Sequence, residues 1–358
     1  MSPSNPAGVE MHEFGEFFTA HMVTSEWGVG KGWGPLELGP HVPMSISPSM
    51  VGLHYGQVVF EGLKAYRQAD GSVGSFRARA HASRLTDSAR RLVIPPLPEP
   101  MFLEAVDLLT AADQDSLPND VGSGLSLYLR PLLFASDSSL ALRPARSYRF
   151  VLIAFVTEGF FADEPDAIPV WVSPDQTRAF PGGTGSVKFA GNYAPTYRAQ
   201  EEARMAGCRQ VVWLDAIERR WIEELGGMNI FFVRGAGSTP QVVTPPLGGT
   251  LLPGVTRDTL LYLSGRLGYE PREERVTIGQ WQEECSEGII TETFASGTAA
   301  AVTPVGAVRY RDWEWNVGTG KTGPVTAELR RLLGDVQTGR VPSPKSWIRL
   351  VPTPGERE

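Results

Sequence analysis

The sequence predicts a two-domain protein of the α+β class, and three observations support this. The chain has 358 residues, whereas one hydrophobic core usually serves about 100–200 residues. Helix-like segments followed by strand-like runs occupy the first part, strands dominate the second part, and an acidic segment separates them. We therefore expect a small mixed domain over 1–157, a linker over 158–169 and a larger domain over 170–358.

Helical periodicity followed by two strand-like runs defines the first predicted domain. Apolar residues recur at helical spacing over 82–93 and again over 101–112. The runs at 126–134 and 148–157 are apolar, and the second is rich in Phe, Val and Ile. Such composition favours strands, so this domain should combine helices with a sheet.

The linker and the second domain are predicted from turn residues and apolar runs. The linker sequence EGFFADEPDAIP is acidic, contains two prolines and has no periodicity. Thr256 is a candidate N-cap, because it follows the Pro253-Gly254 turn and precedes a helical pattern. The pattern predicts strands at 170–173, 210–214, 229–234 and 288–293, and helices at 195–206, 256–267 and 323–336.

Composition excludes several classes of function. The net charge is −7 and no basic run is present, so a nucleic-acid partner is not expected. No signal sequence and no membrane-spanning apolar stretch are recognisable, so we expect a cytoplasmic protein without a membrane partner. Cys208 and Cys285 lie far apart without a CxxC, and the five histidines lack metal-ligand spacing. Neither a disulfide framework nor a metal site is therefore expected.

Lys188 is the first candidate for chemistry, because it stands in the aromatic and glycine-rich segment GGTGSVKFAGNYAP at 182–195. This segment is not a nucleotide-binding loop, which needs Gly-Lys-Ser/Thr at the start of a helix. The segment GVGKGWG likewise fails as a dinucleotide fingerprint, because Trp33 takes the third glycine position. An amine that attacks a carbonyl at neutral pH needs burial or a cationic neighbour to lower its pKa. A lysine that forms a Schiff base with a cofactor aldehyde is one such amine.

Such a cofactor would need two further groups. A buried carboxylate can keep a pyridine nitrogen protonated, and Glu224 is one candidate. Hydroxyls and amides at a helix start suit a phosphate, and both Pro253-Gly254-Val255-Thr256 and Ser296-Gly297-Thr298 offer them. A lone lysine is usually solvated and Gly-Thr pairs usually form turns, so these residues taken alone leave the function open.

Eight collinear motifs resolve that ambiguity, since together they resemble one family. The motifs are FGEFFTAHMVTSEW (14–27), LHYGQVVFEGLKAYR (53–67), LYLRPLLF (127–134), RAFPGGTGSVKFAGNYAP (178–195), QVVWLD (210–215), EELGGMNIFFV (223–233), LLPGVTRDTLL (251–261) and TETFASGTAAAVTPV (291–305). The chain resembles the branched-chain amino acid aminotransferases, which are fold-type IV enzymes dependent on pyridoxal 5'-phosphate. The resemblance implies a small α/β N-terminal domain, a larger pseudo-barrel C-terminal domain, and amino transfer from leucine, isoleucine or valine to 2-oxoglutarate.

The resemblance also implies roles for the residues around the cofactor. Lys188 would bind it covalently and move the proton between the substrate α-carbon and the cofactor C4′. Glu224 would partner the pyridine nitrogen, and Tyr193 would bond to the phenolic oxygen. The phosphate would be bound by Arg84, Val255, Thr256 and Thr298.

The substrate site implied by the resemblance is aromatic and is shared between two subunits. Arg130 would accept the distal carboxylate of glutamate, and Tyr55 would reach the site of the neighbouring subunit of a homodimer. The amides of Thr298 and Ala299 would bind the α-carboxylate. The apolar side-chain pocket would be formed by Phe18, Phe60, Tyr128 and Phe160.

Some positions depart from the family pattern, and related activities compete. Ala300 and Thr303 stand where mammalian members have a redox CxxC, so thiol regulation of that kind should be absent. Gly227 replaces a common threonine and Phe160 a common tyrosine, which affects fine specificity. D-amino acid aminotransferases and aminodeoxychorismate lyases would share the lysine and glutamate, but they lack the long N-terminal segment. The alternative from a different class of function is a protein that binds the cofactor but has no enzymatic activity.

Overall fold

The computed structural model describes residues 14–158, 167–235 and 239–352. The chain divides into two compact units. Unit 1 comprises Met1–Gly159, Lys188–Gly191 and Asp335–Glu358, and unit 2 comprises Phe160–Val187 and Asn192–Gly334. The predicted mixture of helices and strands is confirmed, and each unit contains one nine-stranded sheet.

The division differs at two places from the boundaries expected from sequence. Residues 188–191 and 335–358 were assigned to the second domain, but both segments belong to unit 1. Long-range backbone hydrogen bonds explain the difference, because Phe60 N donates to Lys188 O at 3.1 Å. Near the C-terminus, Ile348–Leu350 pairs antiparallel with Val73–Phe76. Most of the expected linker, residues 159–166, lies outside the described residues.

Unit 1 is an antiparallel sheet with two long helices. The elements are His21–Gly28 (β1), Gly32–Trp33 (β2), Glu37–Pro40 (β3), Val51–Tyr55 (α1), Val58–Phe60 (β4), Leu63–Arg67 (β5), Val73–Phe76 (β6), Ala78–Arg91 (α2), Glu99–Asp113 (α3), Ser126–Ala135 (β7), Ser147–Thr157 (β8) and Ile348–Leu350 (β18). The strand order is β18-β6-β5-β7-β8-β1-β2, with β3 beside β1 and β4 beside β7. Two 3₁₀ turns, Gln114–Ser116 and Val121–Ser123, follow the second long helix.

The strands of unit 1 have one face in the main core and one face outside it. Leu127 and Leu129 of β7 and Leu63 of β5 pack in the core with α2 and α3. Because side chains alternate along a strand, Tyr128 and Arg130 lie on the opposite face. We call this the second face, and it carries the substrate candidates Tyr128 and Arg130.

Helix α2 begins and ends earlier than the periodicity over 82–93 predicted. It spans Ala78–Arg91, with Leu92 as the C-cap residue. Val93 adopts a left-handed conformation with φ of 55°, which terminates the helix, and prolines follow at 95 and 96. The earlier start matters for the site, because it places His81 on the helix together with Arg84.

Unit 2 contains a barrel-like sheet. The elements are Ile168–Val172 (β9), Tyr197–Met205 (α4), Gln210–Leu214 (β10), Ile222–Leu225 (β11), Met228–Arg234 (β12), Gln241–Thr244 (β13), Val255–Arg266 (α5), Glu270–Glu273 (β14), Ile278–Ser286 (α6), Ile290–Gly297 (β15), Ala301–Tyr310 (β16), Trp313–Asn316 (β17) and Pro324–Gln337 (α7). The ring runs β11-β10-β9-β16-β15-β12 and closes through an additional pairing of β11 with β12. Strands β13 and β14 extend it from β12, and β17 pairs with β16.

The barrel-like ring confirms the expected pseudo-barrel. Its interior is apolar, with Val170, Val212 and Ile230 among the fully buried residues of one hydrophobic cluster. Two short 3₁₀ turns, Ala190–Asn192 and Ala194–Thr196, precede α4. Closing a sheet on itself removes exposed strand edges, so β11 is paired on both sides and can hold a buried carboxylate in a defined position.

The described residues contain neither a membrane-crossing helix nor a metal-ligand cluster. No helix among them is long and apolar enough to cross a membrane. No group of three or more His, Cys, Asp or Glu among them could hold a metal ion.

Candidate active site

Lys188 is held by its backbone in unit 1. Its N–H donates to Ser88 Oγ at 2.9 Å, and its carbonyl accepts from Phe60 N at 3.1 Å. The next residue, Phe189, forms an antiparallel bridge with Val59. The Nζ atom lies 4.7 Å from the centroid of the Phe60 ring. The backbone of residue 188 is therefore fixed by bonds from two elements, and its amine lies over the Phe60 ring.

Arg84 belongs to a buried cluster that the sequence did not reveal. Its Nε and Nη2 donate to the two carboxylate oxygens of Glu61 at 2.6 and 2.9 Å. His81 Nδ1 lies 2.8 Å from Glu61 Oε2. Glu61 is fully buried, so both partners are needed to compensate its charge. In the sequence, this cluster could have been suspected from Glu61, a carboxylate that stands in an apolar segment just before β5.

The cluster fixes the protonation state of Glu61. Burial opposes ionisation, but the charge of Arg84 and the hydrogen bonds from His81 and Arg84 outweigh it and hold the pKa of Glu61 well below its usual range. Burial lowers the pKa of His81, although Glu61 acts in the opposite direction. Glu61 is therefore an anion that orients the Arg84 guanidinium bidentately.

An aromatic cluster around Arg130 lies on the second face of unit 1. The rings of Tyr128 and Phe155 stack with centroids 5.0 Å apart. Arg130 lies 5.1 Å from the Phe60 centroid and 5.3 Å from the Tyr128 centroid, and its Nη2 donates to the Tyr128 hydroxyl at 3.4 Å. Its buried Nε has no hydrogen-bond partner among the described residues. A guanidinium in aromatic surroundings with an unsatisfied donor is suited to bind an anion.

Gly62 makes room for Tyr128, and this leads to a testable prediction. A Cβ atom at Gly62 would overlap the Tyr128 hydroxyl and lie 2.7 Å from Cζ. Gly62→Ala should displace the phenol and lower the free energy of unfolding by about 1–3 kcal/mol. It should also lower kcat/KM for the amino transfer that the family resemblance implies. Gly39→Ala is the control, because nothing lies within 4 Å of its Cβ position. Denaturation and steady-state kinetics measure both effects, and equal behaviour of the two variants would contradict the prediction.

The remaining substrate candidates of unit 1 are more exposed. The ring of Phe18 lies 5.8 Å from Phe155 and is 39% exposed. The Tyr55 hydroxyl donates to Leu140 O at 2.9 Å, and its residue is 49% exposed. Phe160 lies outside the described residues. Among the aromatic candidates that the structure describes, Phe60 and Tyr128 are the two whose rings lie against Arg130.

Glu224 lies on β11 of unit 2 as a buried carboxylate, and each of its two oxygens has a hydrogen-bond or ion-pair partner. Its Oε2 pairs with Arg178 Nε at 2.8 Å. Its Oε1 accepts from Leu252 N at 2.6 Å and from Asn229 Nδ2 at 3.4 Å. Sequence reasoning missed Arg178, although it begins the RAFPGG motif. The arginine neutralises the buried charge of Glu224 and fixes its orientation.

Tyr193 lies beside a glycine that departs from the family pattern. The Cβ position at Gly227 is 3.4 Å from Tyr193 Cε1. Thr196 N donates to Tyr193 O at 2.9 Å, which anchors the tyrosine at the start of a 3₁₀ turn. A side chain at 227 would contact the phenol ring directly, so the glycine leaves the ring more room than a threonine would.

Helix α5 presents uncapped backbone amides. The N-cap residue is Gly254 and no side chain caps it, so the prediction that Thr256 is the N-cap is wrong. A larger residue would not fit at 254, because a Cβ there would overlap Asn229 Oδ1. Thr256 is instead the second residue of α5, where its N–H has no helical acceptor. Val255 and Thr256 are buried, and the helix start favours an anion.

The turn at 298–300 between β15 and β16 contains the last two candidates, Thr298 and Ala299, which are both half-buried. Just before it, the buried hydroxyl of Ser296 has no partner among the described residues. An unsatisfied hydroxyl beside a turn rich in backbone donors fits a phosphate or a carboxylate ligand. With the α5 amides as donors and the Glu224 carboxylate as acceptor, unit 2 therefore carries groups that fit a phosphorylated pyridine cofactor.

Comparisons with known proteins give a consistent family. The sequence model described as amino-transferase class IV matches residues 58–308. The branched-chain-amino-acid aminotransferase of Mycobacterium tuberculosis (strain ATCC 25618 / H37Rv) is 49% identical over 335 residues, covering 94% of this chain and 91% of that protein. The probable branched-chain-amino-acid aminotransferase of Streptomyces coelicolor is 48% identical over 338 residues, covering 94% and 92% of the two chains.

Solved structures agree with the sequence relatives. The branched-chain amino acid aminotransferase from Escherichia coli matches with a TM-score of 0.72 and 30% identity, covering 92% of this chain and 99% of that chain. The T.th. enzyme complexed with N-(5'-phosphopyridoxyl)-L-glutamate matches with a TM-score of 0.73 and 27% identity, covering 94% and 100%. With matches of this identity and coverage, the chain belongs to the class IV aminotransferases and, within them, to the branched-chain-amino-acid aminotransferase family.

Proposed function

We propose that this protein transfers the amino group of L-leucine, L-isoleucine or L-valine to 2-oxoglutarate, with pyridoxal 5'-phosphate as cofactor. The observation that carries the proposal is Arg130, a cation between the rings of Phe60 and Tyr128 with a buried, unsatisfied Nε. The aromatic rings favour an aliphatic side chain, and the guanidinium favours a carboxylate. One pocket can therefore accept both substrates of a two-stage amino transfer.

The cofactor supplies an aldehyde that takes up the amino group and a ring that delocalises the electrons left at the substrate α-carbon. Lys188 Nζ would move the proton between that carbon and the cofactor C4′, in one direction in the first stage and in the opposite direction in the second. Glu224, held by Arg178, keeps the proton on the pyridine nitrogen. Tyr193 donates to the phenolic oxygen.

The phosphate group is assigned to four residues of this chain. Arg84, oriented by Glu61, supplies the positive charge. The amides of Val255 and Thr256 at the uncapped start of α5 supply oriented donors, and the hydroxyls of Thr256 and Thr298 complete the set. The family membership and the uncapped donors support this assignment.

The proposal also assigns substrate-binding roles to individual residues. Phe18, Phe60 and Tyr128 contact the aliphatic chain, as would Phe160, and Arg130 binds the distal carboxylate of glutamate. The amides of Thr298 and Ala299 bind the α-carboxylate. Tyr55 serves a second copy of the chain in a homodimer; its exposure beside the exposed Leu53, Leu140 and Leu142 supports this, because large exposed apolar patches mark interfaces.

An absorption experiment tests the proposed function. The purified protein with pyridoxal 5'-phosphate is mixed with L-leucine in one cuvette and D-alanine in another. We expect L-leucine alone to remove the visible absorbance of the bound cofactor, and 2-oxoglutarate to restore it. A response only to D-alanine would assign the D-amino acid activity instead, and cofactor binding without any response would indicate an inactive carrier.

A further inference from the structure

Lys64 is a buried cation that the proposed roles do not use. It lies on β5 and is only 4% exposed. Its ammonium forms no hydrogen bond or ion pair with any other described residue. Burial lowers its pKa to about 8. A protonated amine in such a place has lost most of its water shell without gaining a partner from the described part of its own chain.

The position of Lys64 in the sheet connects it to the substrate candidates. Its register partner on β7 is Tyr128. Leu63 and Ala65, its neighbours on β5, pack in the main core. The Lys64 side chain therefore belongs to the second face, where Tyr128 and Arg130 lie.

Within the described ranges of the chain, no carboxylate pairs with Lys64. Glu61, three residues earlier, is already bonded through both carboxylate oxygens to Arg84 and His81. The second face also carries Arg130, another cation whose Nε is unsatisfied. An unpaired buried charge is costly, so its presence indicates a site that an anion completes.

We infer that Lys64 is a specificity-determining residue that supplies the positive charge for the second carboxylate when a dicarboxylate substrate occupies the site. This inference rests on the proposed function, in which both substrate types share the pocket. A leucine molecule brings one carboxylate, whereas glutamate and 2-oxoglutarate bring two. The second face carries two cations, Lys64 and Arg130, that lack a carboxylate partner among the described residues, so Lys64 adds to the positive charge that Arg130 offers the distal carboxylate.

The test compares two half-reactions in Lys64→Met, a neutral variant of similar length, with Lys64→Arg as the charge-keeping control. Absorbance of the bound cofactor gives the rate with L-leucine and the rate with L-glutamate separately. We expect Lys64→Met to lower kcat/KM for glutamate at least about tenfold and that for leucine by less than about threefold, while Lys64→Arg retains most of the glutamate rate. Failure of the wild-type protein to react with either amino acid would instead contradict the proposed function.

Two further readouts separate this role from a structural one. Removing an unpaired buried charge should raise the midpoint of chemical denaturation, whereas loss of a packing residue would lower it. Glutarate, a dicarboxylate without an amino group, should inhibit Lys64→Met more weakly than the wild type, with 4-methylvalerate inhibition unchanged. Equal losses for leucine and glutamate, no loss for either, or a changed oligomeric mass would overturn the inference. If Lys64→Met does not fold, Lys64→Gln carries the same comparison.

Discussion

Lys188→Ala should lower the rate of amino transfer by at least about 1,000-fold, because it removes both the covalent attachment and the group that moves the substrate proton. The backbone that holds residue 188, through Ser88 and Phe60, does not depend on the amine. The variant should therefore fold and still bind the cofactor. Single-turnover kinetics with L-leucine measure the effect, and cofactor fluorescence reports binding.

An exposed lysine and an added amine serve as controls for Lys188→Ala. Lys321 is exposed, so Lys321→Ala should keep the full rate. A small primary amine such as ethylamine can replace the missing proton-transfer group in solution and should restore part of the lost rate. Undiminished turnover of Lys188→Ala would exclude the proposed role of this residue.

Glu61→Gln should lower the free energy of unfolding by about 3–5 kcal/mol, because it leaves the charge of Arg84 buried without its anion. Glu61 and Arg84 are both more than nine-tenths buried, so solvent screens the pair little. The variant should also bind the cofactor phosphate more weakly, since the guanidinium loses its bidentate partner. Denaturation followed by tryptophan fluorescence and a cofactor titration measure the two effects.

The matched control for Glu61→Gln is an exposed ion pair that also joins a glutamate to an arginine of α2. Arg79 and Glu99 are paired, with side chains 62% and 44% exposed. Glu99→Gln should cost no more than about 1 kcal/mol. A cost for Glu61→Gln as small as that of the control would show that Glu61 does not compensate Arg84.

The cost of Glu61→Gln should also depend on pH in a defined direction. The pKa of Glu61 is held far below its ordinary value of about 4.3 by Arg84 and His81, against the effect of burial. Its stabilising contribution is therefore fully present above the unfolded-state pKa and is lost as pH falls below it. The difference in stability between wild type and variant should be constant from about pH 6 to 8 and should shrink below about pH 4. A difference that grew on acidification would contradict the charge assignment.

Local structure followed closely from the sequence. The run at 210–214 coincides with Gln210–Leu214, and the periodicity over 101–112 became Glu99–Asp113. Both succeed because alternation and helical spacing are properties of neighbouring residues. The predicted N-cap Thr256 is wrong, since the helix is capped two residues earlier by Gly254, which has no side chain to cap it and so gives no capping signal in the sequence.

The sequence by itself determined the family and the mixed fold and supplied the candidate reactive groups, because motifs and periodicities are local or collinear patterns. Only the tertiary structure decided which charges are compensated. Glu61 meets Arg84 and His81, and Glu224 meets Arg178, through pairings between distant segments. It also decided that Lys64 lies opposite Tyr128 without an anion from the described part of the chain. Burial and long-range register set these electrostatics, and neither can be read from neighbouring residues alone.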